Sequence, residues 1–124
     1  MKSKRIDKIR ALINDTIRVN DKAIMMLSKG DDSKSIADIV WEAYSKLEHA
    51  IILLKLDLGD ESIQRQESLE ENCFDVGGLL VKASDNLINT LNKIDSDLIE
   101  VIRNARLARD ALRLVLSQLK KSNF

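Results

Sequence analysis

Apolar residues recur at intervals of three and four along most of this chain, and the rhythm breaks three times. Ile6, Ile9, Ile13, Thr16/Ile17, Asn20, Ala23/Ile24 and Leu27 share one stripe of a helix predicted over 4–29. Gly30 follows, where a glycine can adopt the left-handed backbone that closes a helix. Asp31, Asp32 and Ser33 then offer cap oxygens for a second helix, with Asp32 the chosen cap. Ile36, Val40, Ala43, Leu47, Ala50/Ile51, Leu54 and Leu58 form the next stripe, and Gly59 stops it. Trp41, Tyr44, Ile52, Leu53 and Leu56 widen that apolar face beyond a narrow seam, so this helix is either the most buried one or has a second face for a partner chain.

The third segment admits two readings. A single helix over 60–94 would run about 52 Å against about 38 Å for its neighbours, and an overhang of two turns would bury nothing. Ser68-Leu69-Glu70-Glu71 has the form of a capping box. The main helix is therefore expected to start there, leaving Asp60 to Glu67 as a connector or short extra helix. Its stripe is Leu69, Cys73, Val76, Leu80, Ala83, Leu87, Leu91 and Ile94. Asp95-Ser96-Asp97 caps a last helix whose stripe is Leu98, Val101/Ile102, Ala105, Ala108, Leu112, Val115/Leu116 and Leu119. Lys120 and Lys121 then complement the negative end of its dipole. Short connections make the first and second helices antiparallel, and likewise the third and fourth. The expected fold is all-α, one domain over 1–124: an antiparallel up-and-down four-helix bundle with a connector between helices two and three.

Composition sharpens this picture. Hydrophobic residues make up 44% and charged residues 32%, as in globular chains. Proline is absent and aromatics are only 3%, so aliphatic side chains must build the core. Lys plus Arg and Asp plus Glu balance at 20 each, which removes any global field favouring nucleic acid or an anionic membrane. A single cysteine makes neither an internal disulfide nor a multi-thiolate zinc site, and fits a reducing, cytoplasmic setting. The N-terminal residues run into the periodic pattern and do not read as a signal peptide. The most apolar stretch, 49–58, is interrupted by Lys55 and Asp57 and is too short to span a bilayer.

Candidate chemistry is sparse. His49 is the sole histidine. The adjacent Glu48 points about 100° away round a helix, so it does not orient the ring, and a surface or structural role is the simpler reading. Cys73 falls on the apolar stripe, where a thiol acts as a small hydrophobe. Glu61, Glu67, Glu70, Glu71 and Asp75 form an acidic stretch, but no Glu-x-x-His pair accompanies them, so no metal and no cofactor is expected. Gly77-Gly78 falls mid-helix in this reading and suggests a close helix crossing; the phosphate-loop glycine patterns are missing. Arg103, Arg106, Arg109 and Arg113 form the most suggestive feature, a ridge on the last helix able to grip phosphates, or else a solvated face or a partner for acidic residues. No aromatics interleave with it for base stacking. Trp41, Tyr44, Ile52 and Leu56 read equally as core or as the anchors of an oligomer interface.

One stretch carries a resemblance. The segment from Ser35 to Gly59, SIADIVWEAYSKLEHAIILLKLDLG, preceded by the turn Lys29-Gly30-Asp31, is similar to the second helix of HEPN-type and nucleotidyltransferase substrate-binding bundles, over about a quarter of the chain. The resemblance implies an up-and-down bundle, often dimeric, among proteins that act as RNases, toxin components or partners of nucleotidyltransferases. Nuclease members carry an Arg followed four to six residues later by His, late in the bundle. No histidine follows Arg103, Arg106 or Arg109 here, so the resemblance implies a partner-binding role and not RNase activity. The reading as a whole is a non-enzymatic helical bundle acting through protein association, as a homodimer or with another protein. The runner-up is a nucleic-acid- or phosphate-binding bundle using the arginine ridge.

Overall fold

A computed structural model describes residues 2–58 and 75–123, with side chains over 5–57 and 75–121. Four helices occupy these residues: α1 (Lys2–Lys29), α2 (Ser33–Leu58), α3 (Val76–Lys93) and α4 (Leu98–Asn123). No strand occurs among the described residues.

Local chemistry sets the boundaries. Gly30 has φ 81°, its amide donates to Leu27 O at 3.1 Å, and the Asp31 amide donates to Met26 O at 3.0 Å. This paired closure satisfies two end carbonyls of α1 and is accessible to glycine without a Cβ clash. Asp32 caps α2 as expected, accepting from the Ser35 hydroxyl at 2.8 Å and the Ser35 amide at 3.1 Å. Those two bonds, the hydroxyl's foremost, hold the Asp32 carboxyl below its ordinary value of 3.8. A depressed folded-state value means the cap stabilises above pH ~4 and is lost as pH falls through that lower value. In an acid titration of helicity, Asp32→Asn should therefore remove part of the unfolding seen below pH 4, and an unchanged acid limb would sink this assignment. Asp97 caps α4, accepting from the Glu100 amide at 3.2 Å.

The start of α3 differs from the expectation. Asp75 is extended (φ −84°, ψ −175°) and its carboxylate accepts from the Gly78 amide at 2.8 Å, so the helix begins at Val76. Gly77 and Gly78 consequently sit in the first turn and not mid-helix. There the amides have no intrahelical acceptor and can serve a cap instead. Ser68, Leu69 and Cys73, the proposed connector 60–67 and the carboxylates Glu61, Glu67, Glu70 and Glu71 lie outside the described residues. Asp75→Ala should cost about 1 kcal/mol in chemical denaturation, with no change in oligomeric size.

The core is aliphatic, as the low aromatic content requires. Ile9, Ile13, Val40, Leu47, Leu54, Leu80, Leu87, Ala105 and Leu112 are fully enclosed. Helix order follows from contacts between named residues. Arg5 meets Asp57 at 2.6 Å, joining the start of α1 to the end of α2. The Leu27 side chain lies against Gly77, joining the end of α1 to the start of α3. Arg10 meets Asp95 at 2.9 Å, and a groove lined by Ala37, Trp41, Leu116 and Lys120 joins the start of α2 to the end of α4. Each helix is thus antiparallel to both of its neighbours, round the ring α1–α2–α4–α3. The consecutive helices α2 and α3 lie across the diagonal and run the same way. The end of α2 and the start of α3 therefore lie at opposite ends of the bundle.

A polar contact pins α1 to α3. Asn20 is fully buried, and its Nδ2 donates to Leu80 O at 2.9 Å, while its Oδ1 has no partner. Thr16 and Thr90, also buried, return their hydroxyls to Leu12 O and Asn86 O one turn back in their own helices. A half-satisfied amide costs stability, but it penalises any slide of α1 along α3.

Candidate functional site

The outer side of α2 carries large apolar side chains that packing within the chain leaves uncovered. Its enclosed stripe (Ile36, Val40, Ala43, Leu47, Ala50, Leu54) faces the bundle. Trp41, Ile52 and Leu56 lie within about 60° of one another on the opposite side. They are 57%, 56% and 65% exposed. Tyr44, the fourth predicted interface residue, is half-buried and packs against the core. The predicted set is therefore split: three side chains face solvent, and the fourth buttresses one of them, Trp41.

That buttress is specific. Trp41 and Tyr44 stack with ring centroids 5.3 Å apart at 21°. The Tyr44 hydroxyl donates to Glu48 Oε2 at 2.8 Å. Glu48 Oε1 in turn lies 3.7 Å from the Arg109 guanidinium on α4. The spacing of Trp41, Tyr44 and Glu48 by three and four residues makes this chain of contacts local to one helix flank. Trp41 also walls a groove with Ala37, Asp38, Leu116 and Lys120, about 350 Å³ in volume and open to solvent. An exposed indole held in one orientation loses little freedom when a partner covers it.

The fold turns one member of the arginine ridge inward and sets carboxylates beside others. Arg109 is 7% exposed and turned toward α2, with Asp110 Oδ1 at 3.3 Å as well as Glu48. Arg103 pairs with Glu100 at 2.8 Å, and Arg113, exposed, lies 3.9 Å from Asp110. Arg106 is engaged as well. Neighbouring carboxylates thus lie against three of the four guanidiniums, and one of those three is buried. Burial of Arg109 was hidden in the sequence because its register places it at the edge of the α4 stripe, beside Ala105, Ala108 and Leu112.

His49 is exposed on α2, and Glu48 is turned to Tyr44 and Arg109. No three His, Cys, Asp or Glu side chains gather as a metal site among the described residues. No described helix is long and apolar enough to cross a membrane. No protein-family profile, curated protein or solved structure matches the chain.

Proposed function

We propose that this protein is a non-enzymatic helical bundle that works through protein association, by self-association over the outer face of α2. The observation that carries the reading is the exposed ridge of Trp41, Ile52 and Leu56 on a helix whose other side already fills the core. Large apolar side chains grouped on a surface mark an interaction site, and tryptophan is the residue type that most often anchors one. The neutral chain, 20 basic against 20 acidic residues, offers no net repulsion between copies. The likeness of Ser35 to Gly59 to HEPN-type bundles favours the same reading, since many of those pair. The proposed setting is the cytoplasm, where a lone thiol stays reduced. A ridge of three side chains lies at the small end of specific interfaces, so a dissociation constant of order micromolar is expected.

The test uses the chain's single tryptophan. Between about 1 and 500 µM, light scattering should show mass rising from monomer to dimer, and Trp41 emission should shift to shorter wavelength over the same range. Trp41→Ser should weaken association at least about tenfold, the scale of a truncated interface anchor. A strict monomer across that range, with Trp41 emission unmoved, rejects the proposal.

A further inference from the structure

The ridge has an internal symmetry that specifies how a second copy would sit. Resting on the self-association reading above, we infer that two copies pack α2 against α2 in antiparallel orientation, on a two-fold axis passing level with the step from Lys46 to Leu47. About that point Trp41 and Ile52 are equidistant, as are Ala37 and Leu56, and Asp38 and Lys55. The two apolar ends of the ridge are separated by a polar middle, Ser45 with Glu48 and His49.

An antiparallel mate matches four levels of this face. Trp41 lies level with Ile52 of the partner subunit, and Ala37 with Leu56 of the partner subunit. The exposed Asp38 carboxylate lies level with Lys55 of the partner subunit, and this opposite-charge level occurs twice by symmetry. Ser45 lies level with Glu48 of the partner subunit, where a hydroxyl can donate to a carboxylate whose two oxygens already face Tyr44 and Arg109. A two-fold axis makes such a surface self-complementary, each residue of a pair serving once on either copy. A parallel mate would also match the apolar positions, but it sets Asp38, Glu48 and Lys55 each level with its own copy. Like charges brought to a common level oppose association and select against that arrangement. The two helix dipoles oppose favourably only in the antiparallel case.

Within its own subunit Asp38 borders the same groove as Lys120, so charge changes at this position are read on the dimer and not on folding alone. The experiment is a charge-reversal cycle followed by sedimentation. Asp38→Lys and Lys55→Asp should each weaken the dimer about three- to tenfold, and the double variant Asp38→Lys/Lys55→Asp should return to within about twofold of the parent. A second measurement fixes orientation. With Cys73→Ser as background, a mixture of Asp38→Cys and Lys55→Cys chains should join through a bis-maleimide spanning about 10 Å. Asp38→Cys alone should not, because its two copies would be about 25 Å apart along the helices. Linkage of Asp38→Cys to itself, or a double variant as weak as the singles while Trp41→Ser still lowers affinity, overturns the antiparallel register and leaves self-association standing. A chain that is monomeric throughout overturns both.

Discussion

Leu47→Ala should lower the free energy of unfolding by about 2–5 kcal/mol, whereas Ile52→Ala, five residues along the same helix, should change it by about 0.5 kcal/mol or less. Both residues are branched aliphatics of nearly equal volume, but Leu47 lies on the α2 stripe and Ile52 is surplus to it. Leu47 is wholly enclosed within the bundle, so truncation removes its transfer free energy and leaves a void that the surrounding side chains fill only partly. Ile52 is more than half exposed, and its loss strips contacts mainly from water. Urea titration at low protein concentration, where association does not contribute, should show the midpoint falling markedly for the first variant and hardly at all for the second. Comparable losses would mean that the outer side of α2 is covered within the single chain. The same Ile52→Ala protein should still show weakened association at high concentration, which separates the two roles.

The second large effect concerns Arg109. Replacing it with alanine should cost about 2–3 kcal/mol, because two things are lost at once. The aliphatic stem fills space between α2 and α4, and the guanidinium is the counter-charge for Asp110 at 3.3 Å and Glu48 at 3.7 Å. Without Arg109, Asp110 loses its nearer guanidinium and keeps Arg113 at 3.9 Å, and Glu48 keeps the Tyr44 hydroxyl. Glu48 is about a third exposed, so water screens part of this loss and the full cost of a stranded buried charge does not apply. Arg109→Met restores the stem without the charge and should recover at least half of the stability. If the arginine instead served a bound anion, alanine and methionine would be equally mild toward folding, and that outcome would sink the structural role. The Trp41 emission spectrum adds a second readout, since loss of Arg109 loosens Glu48, then Tyr44, then the ring stacked on it.

These predictions mark where local pattern and packing part company. The end of α1 and the starts of α2 and α4 were legible because each depends on a few adjacent residues: Gly30 at a positive φ, Asp32 and Asp97 as caps. The start of α3 was not, because Ser68 and Asp75 both offer a capping oxygen and only the backbone decides. The extended conformation of Asp75 and its bond to the Gly78 amide place the boundary there, and they move the paired glycines from mid-helix to the first turn. Asn20 shows the opposite case. Its place on the apolar stripe of α1 announced burial, but its bond to Leu80 O needs α3 alongside, a neighbour that no periodicity names.

The fate of the candidate residues follows the same division. Trp41, Tyr44, Ile52 and Leu56 were recognisable as surplus to the α2 stripe, yet nothing local said whether another helix covered them. That depends on lateral order: α2 lies between α1 and α4, with α3 on the diagonal, so its far side has no neighbour among the described helices. The four arginines likewise form a ridge on an isolated helix, and only the approach of α2 turns Arg109 inward. By itself, then, the amino-acid order determined that this chain makes long helices, which side of each is apolar and where most of them stop, because helical hydrogen bonds, caps and side-chain periodicity act over a few residues. Tertiary structure alone decided which helices touch, that α2 ends and α3 begins at opposite ends of the bundle, and which apolar residues stay in water, because those outcomes depend on free energies shared between segments dozens of residues apart.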